Sequence, residues 1–182
     1  LGKHNVLNAA AASIICLNLG VHKNIIKKSL KKFSGVQRRM TKVFSKNRND
    51  FYDDYAHHPT EIRSIISGVK NAYKDRKIIT AFEPHRYSRV LSLKKEFAKS
   101  FLNCNLVLLC PLYAAGEKRN PKFNLEKFAK IISKFSRLQV VIVKNQNEFI
   151  KFFQKNLFYN EIIIGMGAGM ISKWMRELKT TI

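Results

Sequence analysis

A chain of 182 residues with 46% hydrophobic side chains can bury a full core, which excludes global disorder and leaves room for one domain and part of another. The formal net charge of +22 invites a nucleic-acid reading. The lysines, however, are scattered over almost every predicted helix, which is the pattern of a solvated surface and not of a dedicated binding face.

The chain opens on Leu1 and runs directly into GKHNVLNAAAASIICLNLG, which reads as domain interior, so an upstream segment is expected. The apolar run from Asn8 to Leu19 contains Asn and Ser, is too short for a membrane span and lacks the pattern of a signal peptide; it reads as a buried helix. Cys16, Cys104 and Cys110 lack CxxC spacing, and with no export signal they point to a reduced, cytoplasmic setting without a membrane partner. A helical pair is predicted from Val6 to Phe33, broken at Leu19-Gly20-Val21 and stopped at Ser34-Gly35, with Ile25, Ile26 and Leu30 on one face of its second member.

After Val36 the pattern changes, and a boundary is expected there, separating residues 1–36 from residues 37–182. Short hydrophobic runs now alternate with amphipathic stretches, the form of an α/β domain whose mostly parallel sheet is covered by helices. The strand candidates are Met40 to Ser45, Phe51 to Tyr55, Lys77 to Phe82, Leu106 to Cys110, Val140 to Val143 and Ile162 to Ile164. Helical spacing is clear in Ile62, Ile65, Ile66 and Val69, in Leu125, Phe128, Ala129, Ile132 and Phe135, and in Ile171, Trp174, Met175 and Leu178.

In such sheets ligands bind beyond the carboxyl ends of the strands. The polar clusters fall in those places: DDYAHHPTE after the second strand candidate, EPHRYSR after the third, PLYAAGE after the fourth and GMGAGM after the last. Asp53, Asp54, His57 and His58 lack the HxH or HxxxH spacing of a metal site, so no metal ligand is expected; Asp53 or His58 could instead cap a helix beginning at Pro59. Arg86 and Arg89 lie three residues apart and share a face if a helix begins near Ser88, suited to gripping a carboxylate or phosphate. Gly165, Gly167 and Gly169 fail the dinucleotide fingerprint, because Met170 stands where its last glycine belongs, and are read as a tight turn able to offer N–H groups to an anion. No G-x-x-x-x-G-K-[ST] occurs, which excludes a complete P-loop ATPase in this sequence.

Taken together, GKHNVLNAAAA, FSGVQRR, DDYAHHPTEI, FEPHRYSR, LYAAGE and GMGAG stand in the order seen in the Mur ligases, and the chain resembles that family nearly end to end, most of all its L-alanine-adding branch. The resemblance implies that residues 1–36 are the last helices of a central ATPase domain and that residues 37–182 are a C-terminal Rossmann-like domain. It further implies a ligase that joins L-alanine to UDP-N-acetylmuramate in peptidoglycan precursor synthesis, using ATP and Mg²⁺ through an acyl phosphate, with the remaining domains of the enzyme as partners. By the family pattern His4, Asn5 and Asn8 would lie at adenine, Arg39 at the ATP phosphates or ribose, and Asp54 at the ribose hydroxyls. Tyr55 and His57 would face the reacting centre, and Arg86 and Arg89 would hold anionic substrate groups. Glu83 and Met170 stand where the family more often has Gln and a polar residue. The rivals are a sister ligase with another amino acid or peptide, and a basic nucleic-acid-binding α/β domain.

Overall fold

The computed structural model describes residues 3–33, 35–156 and 159–182, with side chains described from Val6 onward. The chain divides into two compact units, Leu1–Val36 and Gln37–Ile182.

The first unit is a helical pair, α1 (Lys3–Asn18) and α2 (Lys23–Lys32). Gly20 takes a φ of +80°, a left-handed turn that costs glycine nothing, and the Val21 N–H returns to the Cys16 carbonyl at 2.9 Å to close α1. His22 caps α2 by accepting from the Asn24 N–H. The expected stop at Ser34 lies outside the described residues. Ile26 is half-buried, whereas Ile25 and Leu30, predicted to share its face, are exposed, as are Leu7, Ile14 and Ile15 of α1.

The second unit contains β1 (Thr41–Lys46), β2 (Asn49–Asp54), α3 (Pro59–Ala72), β3 (Lys77–Phe82), α4 (Tyr87–Ser92), α5 (Lys94–Lys99), β4 (Leu106–Leu109), α6 (Leu125–Ser136), β5 (Gln139–Ile142), α7 (Gln146–Lys155), β6 (Glu161–Met166) and α8 (Ile171–Thr181). Its sheet runs β1-β2-β6-β3-β4-β5, parallel throughout except for β1, which is antiparallel to β2. The β1–β2 hairpin turns on Asn47 and Arg48, both at positive φ, which suits the right-handed twist of the paired strands.

Side chains alternate between the two sheet faces. Ile78, Phe82, Val107, Leu109, Ile162 and Ile164 pack against α3, α5 and α6, while Ile79, Ala81, Leu108 and Ile163 pack against α7 and α8. That double burial explains why these strands read as continuous apolar runs. Of the short helices, α4 was raised in the sequence only as a helix beginning near Ser88, and α5 and α7 were not singled out; α4 and α5 are six residues each, too short to display a helical period.

At the amino ends of the strands Arg76 acts as a bracket. It donates to Asp50 Oδ2 at 2.5 Å and to the carbonyls of Arg48, Glu161 and Asn160 at 2.8, 2.6 and 3.3 Å. Burial alone would raise the Asp50 carboxyl, but hydrogen bonds from Lys42, Arg76 and Ser45 outweigh it and bring the group down to about 2. A depressed carboxylate contributes stability that is present above its ordinary value of 3.8 and lost as pH falls toward 2. Arg76→Ala is therefore expected to cost about 2–3 kcal/mol in a denaturant melt near neutral pH. Its deficit should narrow in acid, where the wild type has lost the same contribution; a deficit independent of pH would contradict this account.

Candidate functional site

Because β2, β6, β3 and β4 are parallel and in register, Asp54, Met166, Phe82 and Leu109 end together, and the loops that follow meet at one edge of the sheet. The chain's densest titratable chemistry is carried by these loops.

After β2 the chain presents Tyr55 and His57, with ring centroids 5.3 Å apart and edge-on. His57 Nδ1 lies 3.0 Å from the Tyr55 carbonyl, an acceptor, so in the neutral ring Nδ1 carries the proton and Nε2 keeps its lone pair. The neighbouring His58 does other work. Its Nδ1 accepts from the Thr60 N–H at 3.4 Å, and Glu61 accepts from the N–H groups of His57 and His58 at 3.1 and 3.2 Å, forming a capping box with Pro59 in the first turn of α3.

The loop after β3 places His85 beside this pair, 5.2 Å from the His57 ring, and Tyr113 from the loop after β4 stacks on the other side of His85 at 5.7 Å. A row Tyr55–His57–His85–Tyr113 thus joins three loops. Main-chain bonds lock it: the Tyr113 N–H donates to the Pro84 carbonyl at 2.8 Å and the Arg86 N–H donates to the Tyr113 carbonyl at 2.9 Å. Arg89 Nη1 is 3.0 Å from His85 Nδ1. Burial pushes the His85 imidazole down to about 4, helped by the neighbouring His57 imidazole and the Arg89 and Arg86 guanidinium groups and opposed by Glu117, so it is neutral at physiological pH.

Arg86 does not share a helical face with Arg89. It is the N-cap of α4, at a φ of +67°, and α4 begins at Tyr87, so that Arg89 sits in the first turn while exposed Arg86 stands just outside it. The first turn is held by Glu117, whose carboxylate accepts from the Ser88 N–H at 3.0 Å and hydroxyl at 2.5 Å; those bonds lower its pKa.

The glycine turn after β6 is already occupied by a carboxylate from the protein. Glu83, 5% exposed, accepts from the N–H groups of Gly169 and Met170, each at 2.8 Å, at the start of α8. The anion expected at GMGAGM is thus supplied internally, and the Met170 side chain is immaterial because its backbone makes the contact. A Cβ on Gly169 would stand 2.6 Å from Tyr113 Cγ, and one on Gly167 2.8 Å from Glu83 Cβ, which is why glycines are needed here.

Asp54 is 1% exposed, with Oδ2 accepting from the Met40 N–H at 2.8 Å and Oδ1 from the Ala56 N–H at 2.7 Å. Burial raises its pKa against these two bonds. It ties the segment carrying Arg39 to the loop carrying Tyr55 and His57. Arg39 is exposed in that segment, and Asn8 is exposed on α1 in the other unit. The backbones of His4 and Asn5 belong to α1; their side chains lie outside the described residues.

Sequence reasoning passed over Arg38 in favour of Arg39. The Arg38 guanidinium lies 4.7 Å over the Tyr55 ring, donates to the Gly167 carbonyl at 2.5 Å and approaches Asp53 Oδ2 at 3.7 Å, while the Arg38 carbonyl accepts from the Tyr55 N–H at 2.8 Å. Asp53, the other carboxylate of the pair, is buried and accepts from Ser172 of α8. His85, Tyr113 and Glu117 were also missed as partners, although their position after buried strands was the available signal. Among the described residues no group of three or more His, Cys, Asp or Glu side chains could hold a metal ion, and no helix is long and apolar enough to cross a membrane.

Residues 38–169 match the family model described as "Mur ligase, glutamate ligase domain". Among curated relatives, the UDP-N-acetylmuramate–L-alanine ligase of Pelagibacter ubique is 49% identical over all 182 residues, which correspond to 39% of its own length, and that of Ruthia magnifica is 37% identical over 175 residues, 94% of this chain and 37% of that protein. The chain thus spans about two fifths of the length of these relatives. Among solved structures, the UDP-N-acetylmuramate-alanine ligase of Thermotoga maritima aligns over 99% of this chain and 38% of its own with a TM-score of 0.81 at 26% identity. A murein peptide ligase from Psychrobacter arcticus aligns over 99% of this chain and 37% of its own at a TM-score of 0.72 and 23% identity, a likeness of fold.

Proposed function

This chain belongs to the Mur ligase family, and from that premise we propose that it is the C-terminal part of an ATP-dependent ligase that joins L-alanine to UDP-N-acetylmuramate in the cytoplasm. The observation that carries the reading is the convergence of Tyr55, His57, His85 and Arg89 from separate loops at one sheet edge. The names of the relatives at 49% and 37% identity support the choice of amino acid and nucleotide sugar.

In this reading ATP transfers its γ-phosphoryl group to the substrate carboxylate, giving ADP and an acyl phosphate. The alanine amine, having lost a proton, attacks the acyl carbon, and phosphate leaves. Arg89, with Arg86 beside it, holds the alanine carboxylate by charge-assisted hydrogen bonds. His57 offers Nε2 as the acceptor for the amine's proton, and Tyr55 borders the reacting centre. Asn8 and Arg39, together with His4 and Asn5, are assigned to the nucleotide. Asp54, with both oxygens on main-chain N–H groups, orients the Arg39 segment and meets the ribose only through an oxygen that accepts a second bond. Mg²⁺ enters on the nucleotide's phosphates, and no ligand for it is assigned to this chain. The upstream helices, residues 1–36, are assigned to the end of the central ATPase domain.

Phosphate release from the complete ligase, with ATP, the nucleotide sugar and L-alanine omitted in turn, tests this reading. Turnover that needs all three supports it. Turnover with another amino acid would make the protein a sister ligase, and none from a folded full-length protein would remove the ligase reading. The 182-residue chain alone, which has no P-loop sequence, is expected to release no phosphate from ATP.

A further inference from the structure

The row at the sheet edge contains one imidazole to which the proposed reaction gives no task. His85 sits between two other rings, His57 at 5.2 Å and Tyr113 at 5.7 Å, and is half-buried. Its Nδ1 faces Arg89 Nη1 at 3.0 Å. A guanidinium has only donors, so at this contact Nδ1 must be the acceptor and the ring's proton must be on Nε2. Arginine loses the freedom of several rotatable bonds when it is fixed, and a single half-buried acceptor on one Nη favours one of its rotamers.

We propose that His85 is a positioning residue for Arg89, accepting one guanidinium N–H at Nδ1 and so holding the remaining donors in place for a substrate carboxylate beside His57.

The surroundings keep His85 in the accepting state. The groups that face it are His57 from the loop after β2, Arg86 and Arg89 from the start of α4, and Glu117 and the Tyr113 ring from the loop after β4. Three of the four ionisable groups that act on its charge disfavour a second proton, and burial disfavours it further; only Glu117, itself engaged with Ser88, favours it. A doubly protonated ring would turn its Nδ1 donor toward the Arg89 donor and break the contact. The arrangement therefore holds across the neutral range and fails only in acid.

The inference rests on the assignment of Arg89 to the amino acid carboxylate, and its test separates the two. In the complete ligase, His85→Leu removes the acceptor, whereas His85→Asn places Oδ1 close to where Nδ1 stood. His85→Leu is expected to raise KM for the amino acid at least about tenfold, with KM for ATP held within about twofold. His85→Asn is expected to recover amino acid KM to within about threefold of wild type. Equal losses in both variants, a parallel rise in KM for ATP, or a His85→Leu enzyme indistinguishable from wild type would each overturn the proposal.

If the wild type selects a different amino acid, the substrate reading is corrected while the His85 comparison is made on that amino acid. The contact can also be read without turnover, from the side-chain ¹⁵N resonances of the 182-residue chain. His85 should titrate well below the ordinary 6.5 in the wild type and move upward in Arg89→Ala, while burial, the largest cause, keeps it below that ordinary value. An imidazole whose titration does not respond to the loss of Arg89 overturns the proposal whatever the enzyme's substrate.

Discussion

Arg89→Ala in the complete ligase is expected to lower kcat/KM for the amino acid by about 10²–10³-fold, the equivalent of roughly 3–4 kcal/mol. The reasoning begins with position. Arg89 lies in the first turn of α4, half-buried, with one Nη directed at His85, so its guanidinium arrives at the site already oriented. A preorganised charged donor contributes more to binding a carboxylate than a mobile one, because less side-chain entropy is lost on binding. Arg89→Lys keeps the charge but loses the fork, and is expected to recover no more than about tenfold of the deficit. KM for ATP should change little, since that nucleotide is assigned to other residues. An Arg89→Ala enzyme with kcat/KM within about threefold of wild type would remove Arg89 from the site.

The largest expected effect on stability is at Gly165. This residue lies in β6, paired with Asp53 of β2 on one side and Ala81 of β3 on the other, and α8 crosses above it. A Cβ there would stand 2.4 Å from Met175 Cγ and 3.0 Å from its Sδ. Because Met175 is fully buried, its side chain cannot move aside without displacing other core residues. Gly165→Ala should cost about 3 kcal/mol through overpacking, a fall in Tm of about 6–12 °C for a domain of this size. The double mutant with Met175→Ala discriminates the cause. Removing the opposing side chain relieves the clash, so the pair should cost clearly less than the sum of the single changes, whereas additive costs would show that the two positions do not press on one another. The consequence extends to the site, because α8 starts with the Gly169 and Met170 N–H groups bound to Glu83.

Much of this architecture was legible before any coordinates. β3 occurs at the predicted residues, Lys77–Phe82, because a strand buried on both faces reads as a near-continuous apolar run, broken here by the buried Thr80, and α3 begins at Pro59, where a helix tolerates a missing N–H. The placement of DDYAHH, EPHRYSR and PLYAAGE after strands also located the edge at which they meet, since parallel strands point their carboxyl ends one way.

Those features depend on local periodicity and on the direction of the chain, both of which are written in consecutive residues. Strand order is not. β6, last in sequence, inserts between β2 and β3, and this alone brings the Gly167 carbonyl to Arg38 and the Gly169 and Met170 N–H groups to Glu83, contacts spanning 129, 86 and 87 residues. The Asp54 bonds to the Met40 and Ala56 N–H groups and the contact of His85 with Arg89 span only 14, 2 and 4 residues, yet no periodicity announces them, and Arg38 reaches the Tyr55 ring through the same folding of the chain. The sequence by itself determined which residue types reach the sheet edge, because burial on two faces and turn chemistry are local demands. Which of those residues touch one another was decided only in the tertiary structure, because side-chain partners far apart in the chain are selected by packing the whole sheet at once.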